Sequence, residues 1–250
     1  MIDIKNLTAG YGKKEILKHL SLSFEGGKLT SIIGPNGSGK TTLLKALLGT
    51  VPRTSGDISI DGENLSSLKR GDIAKRIGYL SQGNLTPDMT VGELVLHGRF
   101  PYLKYPRGYS AKDIEAARRA MTEIGIEKLE DNYLSAVSGG MRQSAYIAMA
   151  IAQNTDYILF DEPTTYLDVS NQLKLMKTMR HLADSGKGIV SVMHDLPMAL
   201  TFSDSIAVLN SGEILYSGPP EELFKTDIVE KVFGISLSRE NGEYFYRLGG

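Results

Sequence analysis

The chain has 250 residues, 41% hydrophobic and 23% charged, and its 28 Lys+Arg against 29 Asp+Glu leave a formal net charge of -1. That composition belongs to a globular protein with room for a sizeable core, and its balance offers no overall field to nucleic acid or an anionic membrane surface. Cysteine is absent, which excludes disulfide frameworks, thiolate zinc sites and thiol catalysis. No run approaches the roughly 18 apolar residues of a membrane span, and Met1-Ile2-Asp3-Ile4-Lys5 lacks the layout of a signal peptide. These features fit a cytosolic chain.

In chain order, short strands come first. Residues 2–7 alternate in part, 20–24 alternate strictly, and 57–60 precede an Asp61-Gly62 turn. Between them, 29–33 form a compact strand that ends in a glycine-rich loop, and 41–48 read as a helix with Leu43, Leu44, Leu47 and Leu48 on one face and Gly49 as its stop. A strand at 77–80 follows. Thr90 and Glu93 have the form of a capping box, predicting a helix through about Phe100. After the Pro101 to Gly108 loop, a second helix is expected over 110–124, closed by Gly125, and a third from near Gly140 to about Gln153. Three helices without an intervening strand predict a helical subdomain, 83–153, inserted into an α/β core. Beyond it, the apolar runs 157–160 and 189–193 have the character of strands buried on both faces of a parallel sheet, with a helix over 170–184 between them. A hairpin over 206–216 follows, and the segment containing Glu221, Glu222 and Lys225 shows only a short terminal helix pattern.

The chemistry begins at Gly34-Pro35-Asn36-Gly37-Ser38-Gly39-Lys40-Thr41, which fits the phosphate-loop pattern G-x-x-x-x-G-K-[ST] at every fixed position. Backbone N–H groups of such a loop turn inward around phosphates, where a Cβ would intrude. Lys40 neutralises phosphate charge, the Thr41 hydroxyl can ligate Mg2+, and the following helix favours an anion at its start. A carboxylate at the tip of a second buried strand is the expected complement. Asp161 fits a role on Mg2+ and Glu162, one residue on, a role as general base toward a water facing the γ-phosphate. Gln82 and His194 also follow predicted strands, so Gly34, Gln82, Asp161, Glu162 and His194 are expected on one side of one sheet. His19, His97 and His181 are read as structural. Ser138-Gly139-Gly140, ahead of a helix, could bind a second anion. The Lys40 loop already accounts for one nucleotide's phosphates, so this second device makes most sense completing the site of another copy.

This ordered set resembles an ATP-binding cassette (ABC) ATPase subunit across nearly the whole chain. The resemblance implies a single cassette, 1–250, with a RecA-like P-loop NTPase core of mostly parallel sheet, an N-terminal antiparallel β subdomain and the helical insert. It also implies ATP and Mg2+ as ligands. Tyr11 would stack on adenine, 34–42 including Thr42 would be the Walker A loop, and Gln82 would be the Q-loop residue, a ligand of the metal with a part in catalysis. Ser138-Gly139-Gly140 would be the signature, Asp161 the end of the Walker B strand, Glu162 the catalytic base, Asp168 the end of the D-loop and His194 the switch histidine. The sequence departs from the pattern at Met141, where Gln or Glu is usual, and at Val137, where Leu is usual.

Within the family, Gly98-Arg99-Phe100-Pro101-Tyr102, Asp161-Glu162-Pro163-Thr164-Thr165-Tyr166-Leu167-Asp168 and His194-Asp195-Leu196-Pro197-Met198-Ala199-Leu200 resemble the iron–siderophore, haem and vitamin B12 importer group. The implied partners are a second copy of this chain, transmembrane permease subunits docked near 83–110 and, indirectly, a cargo-binding protein, with no nucleic acid. The implied location is the cytoplasmic face of the membrane. A P-loop kinase has no use for Ser138 to Gly140 or His194, and a GTPase would carry an Asn-Lys-x-Asp motif that is absent. Cassettes of DNA repair or translation carry coiled-coil, tandem or basic additions that are also absent. A cassette for another cargo, a metal cation or a lipid, is the competing reading.

Overall fold

A computed structural model describes residues 1–83, 86–106, 108–165 and 167–247; Arg107 of the loop before the second expected helix, and Tyr166 of the segment after Asp161, lie outside them. The chain opens with strands β1 (Ile2–Tyr11), β2 (Lys14–Phe24) and β3 (Leu29–Ile33). Helix α1 (Lys40–Leu47), β4 (Arg53–Ile60), β5 (Glu63–Asn64), α2 (Arg70–Arg76) and β6 (Ile77–Leu80) follow. The next stretch carries α3 (Val91–His97), α4 (Ala111–Ile124) and α5 (Gly139–Ala152). The second half alternates β7 (Tyr157–Asp161), α6 (Val169–Asp184), β8 (Gly188–Val192), α7 (Leu196–Phe202), β9 (Ser205–Asn210) and β10 (Glu213–Gly218). It ends with α8 (Pro220–Phe224), α9 (Ile228–Phe233), β11 (Ser236–Glu240) and β12 (Glu243–Arg247).

Two sheets organise the molecule. The central one runs β10-β9-β3-β8-β7-β6, parallel throughout except for the antiparallel β9–β10 edge. The N-terminal sheet, β2-β1-β4-β5, is antiparallel. Every residue of β3, β7 and β8 is buried, as strands covered on both faces require. Alternation then divides their side chains between two cores. Ile32, Leu159 and Val190 face α1, where Leu43, Leu44 and Leu47 meet Leu7 and Phe24 of the antiparallel sheet. Ile33, Ile158 and Phe160 share the opposite core with Leu94, Met121, Tyr146 and Met176 of the helices.

The helix starts follow their capping chemistry. Thr90 and Glu93 close a reciprocal capping box on α3, and Ser110 with Asp113 forms another on α4. Gly125 ends α4 in the left-handed conformation expected of a C-terminal glycine. The expected helix through Phe100 is shorter. It stops at His97, and a 3-10 turn over Phe100–Tyr102 takes over, because Pro101 lacks the N–H that a continued α-helix would need. The C-terminal helix pattern is also incomplete, since β11 and β12 pair as a hairpin after it.

Candidate nucleotide site

Adjacent parallel strands β3, β8, β7 and β6 release the chain on one side of the sheet, and each exit carries a predicted polar residue. After β3, the loop runs from Gly34 to the start of α1 at Lys40. A Cβ on Gly34 would lie 2.0 Å from the Leu209 carbonyl oxygen, so only glycine fits there. Gly39 has φ 109 and heads α1 with no side-chain cap and no acidic residue in the first turn. The N–H groups of that turn are therefore open to an anion. Pro35 is half-buried, Asn36 and Gly37 are exposed at the tip, and Ser38 Oγ is buried with no hydrogen-bond partner among the described residues. An orphaned, buried hydroxyl inside a glycine-rich loop of this pattern is what a phosphate-binding cradle leaves for its ligand.

Lys40 is only 6% exposed and donates to the carbonyls of Gly34 (2.7 Å) and Pro35 (3.0 Å). Burial pulls its ammonium below the ordinary lysine value, opposed by the Glu162 and Asp161 carboxylates. Thr41 Oγ1 donates to Asp161 Oδ1 at 3.1 Å, joining the first turn of α1 to the tip of β7. Burial raises the Asp161 carboxyl above its usual range, while Thr41 and Tyr79 hydrogen bonds oppose the shift. A hydroxyl and a buried carboxylate a hydrogen-bond length apart are hard oxygen donors of the kind Mg2+ takes. Thr42 occupies the next position of the same turn.

Glu162 follows immediately and is held between two exits. Its Oε1 meets His194 Nε2 at 2.6 Å and its Oε2 accepts from Gln82 Nε2 at 2.5 Å. Its backbone has φ 53, unusual for a non-glycine residue and typical of strain kept at functional positions. Gln82 thus contacts Glu162, whereas Asp161 accepts from Thr41 on one oxygen and from Tyr79 on the other. Tyr11, 49% exposed, ends β1.

Ser138, Gly139 and Gly140 lie elsewhere, at the start of α5. The Ser138 hydroxyl caps that helix, accepting the Met141 N–H at 3.3 Å. Ser138, Met141, Asn171 and Lys174 line a cavity of about 400 Å³ to which no residue of the 34–42 loop contributes. Asp168 belongs to this second locus. It caps α6 and accepts from the backbone and side chain of Asn171, whose amide lies 3.7 Å from a Cβ built on Gly140.

Two contacts were not anticipated. Tyr79 on β6 donates to Asp161 Oδ2 at 3.1 Å, and burial, with Asp161 beside it, pushes its phenol far up. In an apolar strand its ring reads as packing, and the hydroxyl's target depends on the β6–β7 pairing. Gln143 of α5 donates to the Pro163 carbonyl at 3.0 Å, tying the helical insert to the residue after Glu162.

A family model described as ABC transporter matches residues 17–165, more than half of the chain. The petrobactin import ATP-binding protein YclP of Bacillus subtilis (strain 168) is 38% identical, over 95% of this chain and 94% of its own length. The ferric enterobactin transport ATP-binding protein FepC of Escherichia coli (strain K12) is also 38% identical, over 92% and 86%. The manganese transport system ATP-binding protein MntB of Bacillus subtilis (strain 168) is 36% identical, over 95% and 94%. Among solved structures, a dimeric ATP-binding cassette in a post-hydrolysis state with ADP and Pi superposes with a TM-score of 0.76 at 30% identity, covering 88% of this chain and 99% of that one.

Proposed function

Because this chain belongs to the ABC transporter family as the ATP-hydrolysing subunit of an importer, we propose that it powers uptake of an iron complex, a siderophore or haem, or of a cobalamin-like cargo. The observation that carries the site assignment is the Glu162 carboxylate held between Gln82 and His194, one residue past the Thr41–Asp161 pair.

In this reading adenine stacks on Tyr11 and the phosphates lie over residues 34–42, with Lys40 against their charge. Thr41, Asp161 and Gln82 would hold Mg2+, whose chemistry there is to neutralise charge on the phosphate oxygens. Glu162 accepts the proton of the attacking water, and His194 and Lys40 stabilise the charge on the transferring phosphoryl group. Two copies pair head to tail, each placing Ser138, Gly139, Gly140 and Asp168 at the other's nucleotide. The helical insert, 83–153, carries the surface for a permease, which holds the subunit at the cytoplasmic face of the membrane and couples it indirectly to a cargo-binding protein. Among the described residues no helix is long and apolar enough to cross a membrane, in keeping with a subunit attached through its permease.

The ferric enterobactin relative and the three segments beginning at Gly98, Asp161 and His194 favour an iron complex. The manganese relative supports the second reading, a metal-cation transporter. The test is reconstitution with the permease in liposomes and a panel of loaded cargo-binding proteins. Stimulation of ATP hydrolysis by ferric-siderophore, haem or cobalamin carriers is expected, whereas stimulation by a manganese carrier alone would replace the first reading with the second.

A further inference from the structure

The C-terminal hairpin lies on the element that leads away from His194. Helix α7 begins two residues after that histidine, and its first-turn N–H groups have an unusual set of partners. Asp195 accepts the Met198 N–H at 2.8 Å as an N-cap, Ala199 donates to the Asp195 carbonyl at 3.0 Å, and Pro197 has no N–H. The Leu196 N–H remains, and its acceptor comes from 50 residues downstream, the Tyr246 hydroxyl oxygen at 3.3 Å.

The rest of the hairpin is anchored to the same region. Tyr244 is 4% exposed, its ring meets Phe224 edge-on at a centroid distance of 5.4 Å, and its N–H donates to Thr201 Oγ1 at 3.4 Å. Arg239 lies over the Tyr244 ring and pairs with Glu221 of α8. Upstream, the Met193 N–H donates to the Ile32 carbonyl at 3.1 Å. The backbone that carries His194 is thus fixed by β3 on one side and by Asp195 and Tyr246 on the other.

We infer that Tyr246 is a positioning residue for ATP hydrolysis: by accepting the Leu196 N–H it fixes the start of α7 and so the His194 imidazole against Glu162. This inference rests on the role proposed above for His194. It makes the hairpin, on the far side of α7 from the nucleotide loop in sequence, part of the hydrolytic machinery's support.

Tyr246→Phe keeps the ring and removes the acceptor. Relative to the unaltered protein, kcat should fall about three- to tenfold with KM for ATP unchanged, the rate equivalent of one ordinary hydrogen bond. In imidazole-labelled protein the His194 resonances should move while those of His19, His97 and His181 stay in place. Tyr244→Phe is the control for general hairpin packing, since the buried Tyr244 hydroxyl has no partner among the described residues, and it should move neither kcat nor the His194 signals. Unchanged kcat in Tyr246→Phe, a fall without displacement of the His194 signals, a change confined to KM, or equal losses in both tyrosine variants would each overturn the inference. His194→Ala is measured alongside. If it is inactive and Tyr246→Phe is silent, only the role of Tyr246 fails; near-normal turnover in His194→Ala would overturn both.

Discussion

At the scale of single residues, the site turns on one carboxylate with two neighbours. Glu162 receives Gln82 on one oxygen and His194 on the other, so its orientation is set before any water arrives. Glu162→Gln preserves the shape and removes the base, and hydrolysis should fall by about 10²–10⁴ while Mg-ATP binding persists. Phosphate release and equilibrium nucleotide binding check the two halves separately, and near-normal release would remove Glu162 from its role. Asp161 should behave differently. It is buried and bonded to Thr41 and Tyr79, so its loss should weaken nucleotide binding as well as turnover. The different placements of the neighbouring carboxylates were legible in the sequence because a strand end fixes the direction of each. Tyr79 was not, because nothing in an apolar strand tells a packing ring from one whose hydroxyl reaches a neighbouring strand.

At the scale of elements, the helical insert depends on a small buried network. Arg99, just past α3, donates to Asp113 of α4 at 3.0 Å and to the Ala152 carbonyl at the end of α5 at 2.9 Å, with Tyr102 under its guanidinium at 4.0 Å. Asp113 also closes the capping box of α4, and the Ser110 hydrogen bonds, then Arg99, hold its carboxyl below the usual range. A folded-state pKa below the unfolded value of about 3.9 gives stability that is full above that value and is lost as pH falls through the folded one. Asp113→Ala should therefore cost about 3 kcal/mol near neutral pH, the low end for breaking a buried pair because Arg99 keeps its carbonyl partners. Thermal melts should show the gap to the unaltered protein narrowing below about pH 4; a gap independent of pH would mean that packing, not charge, is lost. The starts of these helices were readable because capping is local chemistry. The end of α3 and the hairpin β11–β12 were not. The first depends on where Pro101 interrupts the helix, and the second has a mostly exposed β12 whose alternation is too weak to register as a strand.

At the scale of the whole molecule, the two loci proposed to bind anions sit on different elements. The Lys40 loop follows β3 in the central sheet, whereas Ser138 heads α5 in the insert, beside a cavity to which the loop contributes nothing. One triphosphate does not need both, so the second is assigned to a partner copy. Ser138→Arg should leave ATP binding by the monomer intact and block dimer closure and hydrolysis, because a long cation fills the space meant for the facing γ-phosphate. Lys40→Ala should fail earlier, at nucleotide binding. Mixing the two variants then discriminates between a shared site and a local one. One composite site in the heterodimer pairs an intact Lys40 loop with an intact Ser138, while the other combines both defects. ATP-dependent dimerisation, absent from either variant alone, should return in the mixture, as measured by size-exclusion chromatography with light scattering. Met141 refines the same geometry. It is 45% exposed beside Ser138 and has no strong hydrogen-bonding group, so Met141→Gln should leave hydrolysis intact or modestly strengthen dimerisation. If Ser138→Arg instead abolished ATP binding by the isolated monomer, the start of α5 would have to act on its own chain's nucleotide, and the head-to-tail assembly would be wrong.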